Sequence, residues 1–139
     1  MGYGIDLVGA ARRYFSAAQK LDSTDRGVPC PHYPVAGYLY GIAAECSLKA
    51  IMEKSGIPKQ PNNRKEDPYF AHFPELKSML RDRISGRYAS LLRTYAEDSS
   101  LLNEWDVKMR YAPSSDIEMR QVERWRTQAQ RLLNEMEAS

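Results

Sequence analysis

Apolar residues recur at helical spacing in several long parts of the chain, most fully over residues 35–54. There, apolar side chains occupy nearly every face of the predicted helix, and such a helix is expected to be buried among other helices. Glu45 and Lys49 are its two mid-helix charged residues and lie four positions apart, with the acid on the N-terminal side, which favours a pair. The pair is open to two interpretations. It is a salt bridge on an exposed strip, or it is a polar notch in a buried helix, where the carboxylate must find a cationic partner.

Similar patterns predict the other helices. Residues 5–21 and about 115–137 each carry one apolar stripe, which indicates amphipathic helices. Between them, the sequence predicts a helix opened by residues 72–75 and ended or bent at Gly86, a shorter helix over 88–95, and one helical turn over 98–105. Ser115 and Glu118 have the spacing of a capping box and predict the start of the last helix.

No segment shows the alternation typical of strands. We therefore predict an all-α fold: a mostly antiparallel bundle of four main helices plus one or two short ones, forming a single domain over residues 1–139. Residues 22–34 and 106–114 are predicted to be irregular links. Residues 56–71 are polar and contain three prolines, which predicts a mobile surface loop.

Composition excludes some function classes. The net charge of +2 leaves no global basic field, so nucleic-acid binding must rest on a local patch. The most basic stretch, residues 77–93, is either a solvated helix face or an RNA-facing patch. Cys46 is expected to be a small buried hydrophobe, and Cys30 lacks companion ligands at zinc-site spacing, so we expect no metal and no cofactor. We expect neither a signal peptide nor a membrane span, and therefore a cytoplasmic protein with no membrane partner.

Two stretches together resemble the HEPN (higher eukaryotes and prokaryotes nucleotide-binding) family. They are residues 37–50, GYLYGIAAECSLKA, and residues 105–111, WDVKMRY, ahead of the long last helix. Residues 13–18, RYFSAA, are also in the style of the family, and the resemblance covers nearly the whole chain except residues 56–71. It implies a helical bundle that commonly forms a homodimer, often in bacterial toxin–antitoxin and antiviral defence systems. It also implies RNA, a nucleotide or a partner protein, such as a nucleotidyltransferase-like antitoxin, as the binding partner.

Active members of that family are metal-independent ribonucleases with an Arg followed, after four to six residues, by a His near the start of the last helix. The Arg would steady the scissile phosphate and the His would move protons. This sequence keeps Arg110 but has Asp116 where the His is expected. A carboxylate is ionised at neutral pH, is therefore a poor general acid, and would repel the phosphate. Arg26 and His32 satisfy the bare spacing, but they precede the central helix and so lie in the wrong place.

Arg110 is therefore open to three interpretations. It is an ion-pair partner of Glu45 inside the bundle, it binds an RNA phosphate without cleavage, or it serves an enzyme whose proton transfer uses other residues. Trp105, Tyr111 and Trp125 are expected to belong to the core rather than to stack on bases, and His72 is expected to cap or pack.

We expect a non-catalytic, HEPN-like binding module. The alternative is a metal-independent endoribonuclease with an altered motif, in which Arg110 is the catalytic candidate. The predicted binding residues are Glu45, Lys49, Lys108, Arg110, Tyr111 and Asp116.

Overall fold

The computed structural model describes residues 2–22 and 32–139, and that part of the chain is all-helical. Five α-helices lie in it: α1 (Leu7–Leu21), α2 (Tyr33–Lys54), α3 (Glu75–Arg81), α4 (Ala89–Glu97) and α5 (Met119–Ala138). Three short 3-10 helices lie at Pro68–Phe70, Val107–Tyr111 and Ser114–Asp116. The predicted all-α class is confirmed, with three long helices and two shorter ones. Most of the predicted 22–34 loop, including Arg26 and Cys30, lies outside the described residues.

The buried helix predicted over residues 35–54 is α2, which packs against both α1 and α5. Tyr40, Leu48 and Ile51 on α2 are fully buried. The helices around it supply single apolar stripes, as an amphipathic pattern requires. Their fully or nearly fully buried residues are Ala11, Phe15 and Ala18 in α1 and Val122, Trp125, Ala129, Leu132 and Met136 in α5.

Cross-helix hydrogen bonds show how the long helices run. Asp22, at the end of α1, accepts from Tyr40 in α2 and from Arg126 in the first half of α5, each at 3.1 Å. Lys54, the last residue of α2, donates to Ser139 Oγ, just past α5, at 2.9 Å. Thus α1 is antiparallel to α2 and α5, whereas α2 and α5 run parallel. The predicted antiparallel arrangement is wrong for α2 and α5. Residues 55–118 carry the chain back along the bundle before α5 begins, so α5 runs in the same direction as α2.

The last helix begins later than predicted. Its N-cap is Glu118, not Ser115, and Glu118 forms a capping box with Gln121, whose Oε1 accepts from the Glu118 backbone N–H at 2.8 Å. Ser115 and Asp116 belong instead to the 3-10 helix Ser114–Asp116. Both Ser115/Glu118 and Glu118/Gln121 have capping-box spacing, so spacing alone could not choose between them.

Two further segments between α4 and α5 differ from prediction. Residues 98–105 form hydrogen-bonded turns rather than a helix, and Leu102 and Glu104 have positive φ values of 51° and 70°, which a helix excludes. Residues 106–114, predicted to be irregular, contain the 3-10 helix Val107–Tyr111, whose N-cap Asp106 accepts from the Lys108 backbone N–H at 2.8 Å. The chain therefore presents a short rigid element where a loop was expected.

The two ends of the 56–71 segment are fastened to each other. Asp67 is buried and accepts from the backbone N–H groups of Gln60, at 3.1 Å, and Tyr69, at 2.9 Å. The Tyr69 hydroxyl donates to the carbonyl of Ile57 at 2.7 Å. The mobility of this segment stays a prediction, and its anchoring brings Arg64 and Lys65 to one wall of a cleft described below.

The basic stretch over residues 77–93 is largely used inside the fold. Lys77 Nζ donates to the carbonyls of Asp98 and Leu101, each at 3.0 Å, and Arg81 donates to the carbonyl of Ala96 at 3.1 Å. These cations satisfy carbonyl groups at the end of α4 and in the turns beyond it. Arg87 and Arg93 are exposed, so the interpretation of this stretch as an RNA-facing patch stays a prediction.

No helix in the described ranges combines the length and the apolar character needed to cross a membrane.

Candidate functional site

The 3-10 helix Val107–Tyr111, here called the ridge, displays a cation and an aromatic ring side by side. The Arg110 guanidinium lies 4.9 Å from the centroid of the Tyr111 ring, and 78% of Tyr111 is exposed. Lys108 is exposed on the same ridge. The structure thus brings together three predicted site residues, Lys108, Arg110 and Tyr111. The expectation that Tyr111 belongs to the core is wrong, whereas Trp105 and Trp125 are buried as predicted.

The ridge is held in place from α2. The Tyr38 ring stacks on the buried Trp105 indole with 5.7 Å between centroids and 15° between planes. Tyr38 and Arg110 line the same groove, and the Tyr38 hydroxyl, followed by Tyr111, raises the pKa of the guanidinium above its ordinary value. Gly41 on α2 leaves room for the Trp105 indole, because a Cβ at that position would overlap it. Arg110 therefore extends from a fixed support while staying in contact with solvent.

A groove of about 260 Å³ lies between the start of α2 and the ridge, here called the Arg110 cleft. Its lining is apolar apart from Arg110, Ser114 and the Tyr38 hydroxyl, and it includes the half-exposed Val35. Asp116 does not line it. A cleft that offers one fixed guanidinium, no carboxylate among its lining residues and aromatic rings nearby suits an anionic group attached to a flat ring.

Glu45 and Lys49 form the buried polar notch that was one of the two interpretations of this pair. Glu45 is 4% exposed and Lys49 5% exposed, and Lys49 Nζ lies 3.2 Å from Glu45 Oε2. The second carboxylate oxygen, Oε1, lies 2.9 Å from Nδ1 of His72. Glu45 therefore has Lys49 and His72 as partners rather than Arg110, and the proposed Glu45–Arg110 ion pair is wrong. The reason is geometric, since Lys49 is one turn away on the same helix and His72 covers the other oxygen from the segment before α3.

His72 opens onto a second groove, of about 350 Å³, here called the His72 cleft. Half of the His72 side chain is exposed, although its Nδ1 atom contacts a buried carboxylate. A histidine held by a carboxylate at one nitrogen keeps the other, Nε2, for a ligand or a proton. The lining residues of this cleft are Arg64, Lys65, Phe70, Ala71, His72, Phe73, Glu75, Met79, Asp106, Val107 and Lys108.

The ridge contributes to both clefts: Val107 and Lys108 line the His72 cleft, and Met109 and Arg110 line the Arg110 cleft. The sequence pattern predicted only a capping or packing role for His72 and did not single out Arg64 or Lys65. His72 is 27 residues from Glu45 in the chain, and nothing in the local pattern signals that contact.

Cys46, next to Glu45 on α2, is half-buried rather than buried. Burial, together with the neighbouring Glu45 carboxylate, raises the pKa of its thiol to about 11. The thiol is therefore protonated at neutral pH and a poor nucleophile. Within residues 2–22 and 32–139, no three His, Cys, Asp or Glu side chains are grouped so that they could hold a metal ion.

Comparison with protein families, with curated proteins and with solved structures finds no match to this chain.

Proposed function

We propose that this protein binds single-stranded RNA through the ridge. The observation that carries the proposal is the pairing of a fixed, exposed Arg110 with the exposed ring of Tyr111. A guanidinium binds a backbone phosphate, and an exposed aromatic ring stacks on a base, which contributes about 1–3 kcal/mol per base. Lys108, two residues before Arg110, adds a second cation for the same strand.

The resemblance to the HEPN family supports the proposal and extends it. A HEPN-like homodimer in the cytoplasm, acting in a bacterial toxin–antitoxin or antiviral defence system, would use this surface to hold RNA without cleaving it. A free nucleotide and a partner protein are the other ligands that the resemblance implies. We favour RNA because the Arg110 cleft and the His72 cleft both place cations beside the ridge, whereas a site for a protein partner would need a larger apolar surface.

We expect Arg110→Ala and Tyr111→Ala each to weaken binding of a short single-stranded RNA about tenfold, because each removes a contact worth on the order of 1.4 kcal/mol. Fluorescence anisotropy with a labelled oligonucleotide measures this, and the wild-type affinity should also fall with rising salt. Arg93→Ala and Tyr3→Ala are matched controls, since both residues are exposed and far from the ridge in sequence. Wild-type protein that does not bind RNA, or ridge variants that bind as well as the controls, would contradict the proposal.

The second candidate function is metal-independent ribonuclease activity, favoured by one observation. His72 is fixed by the buried Glu45 in a cleft that also contains Lys108. An imidazole held in this way could take the proton from an RNA 2′-hydroxyl as that oxygen attacks the adjacent phosphorus. The bond to the 5′-oxygen would then break, and this oxygen would receive a proton from the imidazolium.

We expect no RNA cleavage by the wild-type protein in excess chelator, since the proposed function is binding alone. Electrophoresis of labelled RNA, alongside His72→Ala and Arg110→Ala variants, measures this. Cleavage that persists in chelator and disappears in both variants would contradict the non-catalytic binding function and support the ribonuclease. Cleavage that both variants retain would indicate a contaminating nuclease.

A further inference from the structure

The cations that line the His72 cleft outnumber its carboxylates. Arg64, Lys65, Lys108 and His72 line it together with two carboxylates, those of Glu75 and Asp106. The three permanently charged cations and two carboxylates leave a net charge of +1. The Oδ1 atom of Asp106 already accepts the Lys108 backbone N–H at 2.8 Å as the cap of the ridge.

The cations of this cleft are available to a ligand. Within the described chain, neither Lys65 nor Lys108 forms a salt bridge, and both are exposed. Arg64 rests on the face of the exposed Phe70 ring, 4.6 Å from its centroid, and this contact holds its guanidinium near the cleft. Within residues 2–22 and 32–139, none of these three cations forms a salt bridge.

His72 is positioned more tightly than the three surface cations. Its Nδ1 lies 2.9 Å from Glu45 Oε1, and Glu45 is itself held by Lys49 at 3.2 Å in the buried interior of α2. This chain of contacts fixes the imidazole ring, so its Nε2 is pre-organised as a donor or acceptor toward the cleft. Pre-organised donors lose little conformational entropy on binding a ligand.

We propose that the His72 cleft binds a terminal phosphomonoester of the RNA strand that the ridge holds; this inference rests on the proposed function. A monoester carries a charge of about −1.5 to −2 at pH 7 and three terminal oxygens, whereas an internal diester carries a single negative charge. Four nitrogen-bearing side chains match the larger number of terminal oxygens on the monoester. The volume of about 350 Å³ is at the lower end of ligand pockets, roughly 300–1,000 Å³, and suits one nucleotide end.

The ridge connects the two sites. Lys108 lines the His72 cleft, and Arg110, two residues later, lines the Arg110 cleft. At a rise of about 2 Å per residue in a 3-10 helix, the two backbones are about 4 Å apart along its axis. One strand can therefore place its terminal phosphate at Lys108 and its next groups at Arg110 and Tyr111.

The test compares one RNA sequence in three forms, carrying a 5′-phosphate, a 3′-phosphate or hydroxyls at both ends. We expect at least tenfold tighter binding of one phosphorylated form by fluorescence anisotropy, and the form that binds tighter identifies the end. In Lys65→Ala and His72→Gln, the ratio between the affinity for that phosphorylated form and the affinity for the form with hydroxyls at both ends should fall toward one. The Arg93→Ala variant should keep the wild-type ratio. Equal affinity for all three forms, with binding that still depends on Arg110, overturns this inference and leaves the proposed function standing.

A second measurement examines the His72 cleft with mononucleotides in place of RNA. The His72 ring resonances, followed by NMR during titration with adenosine 5′-monophosphate and 3′-monophosphate, should shift with at least one of them and not with adenosine. If no RNA form binds at all, the proposed function fails, and this titration alone decides whether the cleft holds a phosphomonoester. Resonances that respond to neither nucleotide overturn the inference.

Discussion

Glu45→Ala should destabilise the protein by about 3–5 kcal/mol, because it leaves Lys49 buried without its carboxylate partner. Lys49 is only 5% exposed, and its ammonium group lies 3.2 Å from Glu45 in the wild-type protein. A buried charge without a counter-charge loses its hydration and gains nothing in return. Urea denaturation followed by circular dichroism gives the free energy of unfolding for wild type and variant.

The double variant Glu45→Leu/Lys49→Leu is the matched control for this prediction. Replacing both partners of a buried ion pair with apolar residues of similar volume is often neutral or stabilising, so we expect the double variant to be much more stable than Glu45→Ala. Glu137→Ala removes the exposed carboxylate that pairs with Arg12 at the surface and should cost little. A Glu45→Ala variant as stable as Glu137→Ala would show that Lys49 reaches water in the folded protein.

Gly41→Ala should destabilise the protein by about 1–3 kcal/mol, although alanine is the better helix former by about 1 kcal/mol. The reason is overpacking, since the new methyl group would overlap the indole of Trp105, which is 2% exposed and cannot turn outward freely. Displacing Trp105 also disturbs the Tyr38 ring stacked on it, and with it the support of Arg110. We therefore expect RNA affinity to fall in the variant even at temperatures where it remains folded.

Gly37→Ala, one turn earlier on α2, separates this effect from helix propensity. A Cβ there would lie 2.9 Å from Val122 Cγ2 and 3.1 Å from Trp125, a milder overlap than the 2.0 Å between a Cβ at Gly41 and the Trp105 indole. Thermal denaturation should place Gly41→Ala well below Gly37→Ala, and anisotropy should show weaker RNA binding only in Gly41→Ala. Equal melting temperatures for the two variants would mean that the Trp105 indole has room to move.

The fold was predictable where one pattern dominated. The helix over residues 35–54 is apolar almost all round, so only a buried position satisfies it, and α1 and α5 follow from single apolar stripes. Prediction was less successful between α4 and α5, where short turns leave little periodicity. The start of α5 shows the difficulty, because overlapping capping boxes at Ser115 and Glu118 compete and tertiary packing selects the second.

The candidate site, like the fold, was predictable only in part. Lys108, Arg110 and Tyr111 were predictable as a group because they are neighbours in the chain, yet their exposure was not, since it depends on how the ridge packs against α2. The sequence by itself determined the helical class, the burial of α2 and the presence of an acid–base pair within it. Only the tertiary structure decided that Glu45 meets His72 rather than Arg110, because a contact between residues 27 positions apart depends on how the whole chain packs and leaves no trace in local spacing.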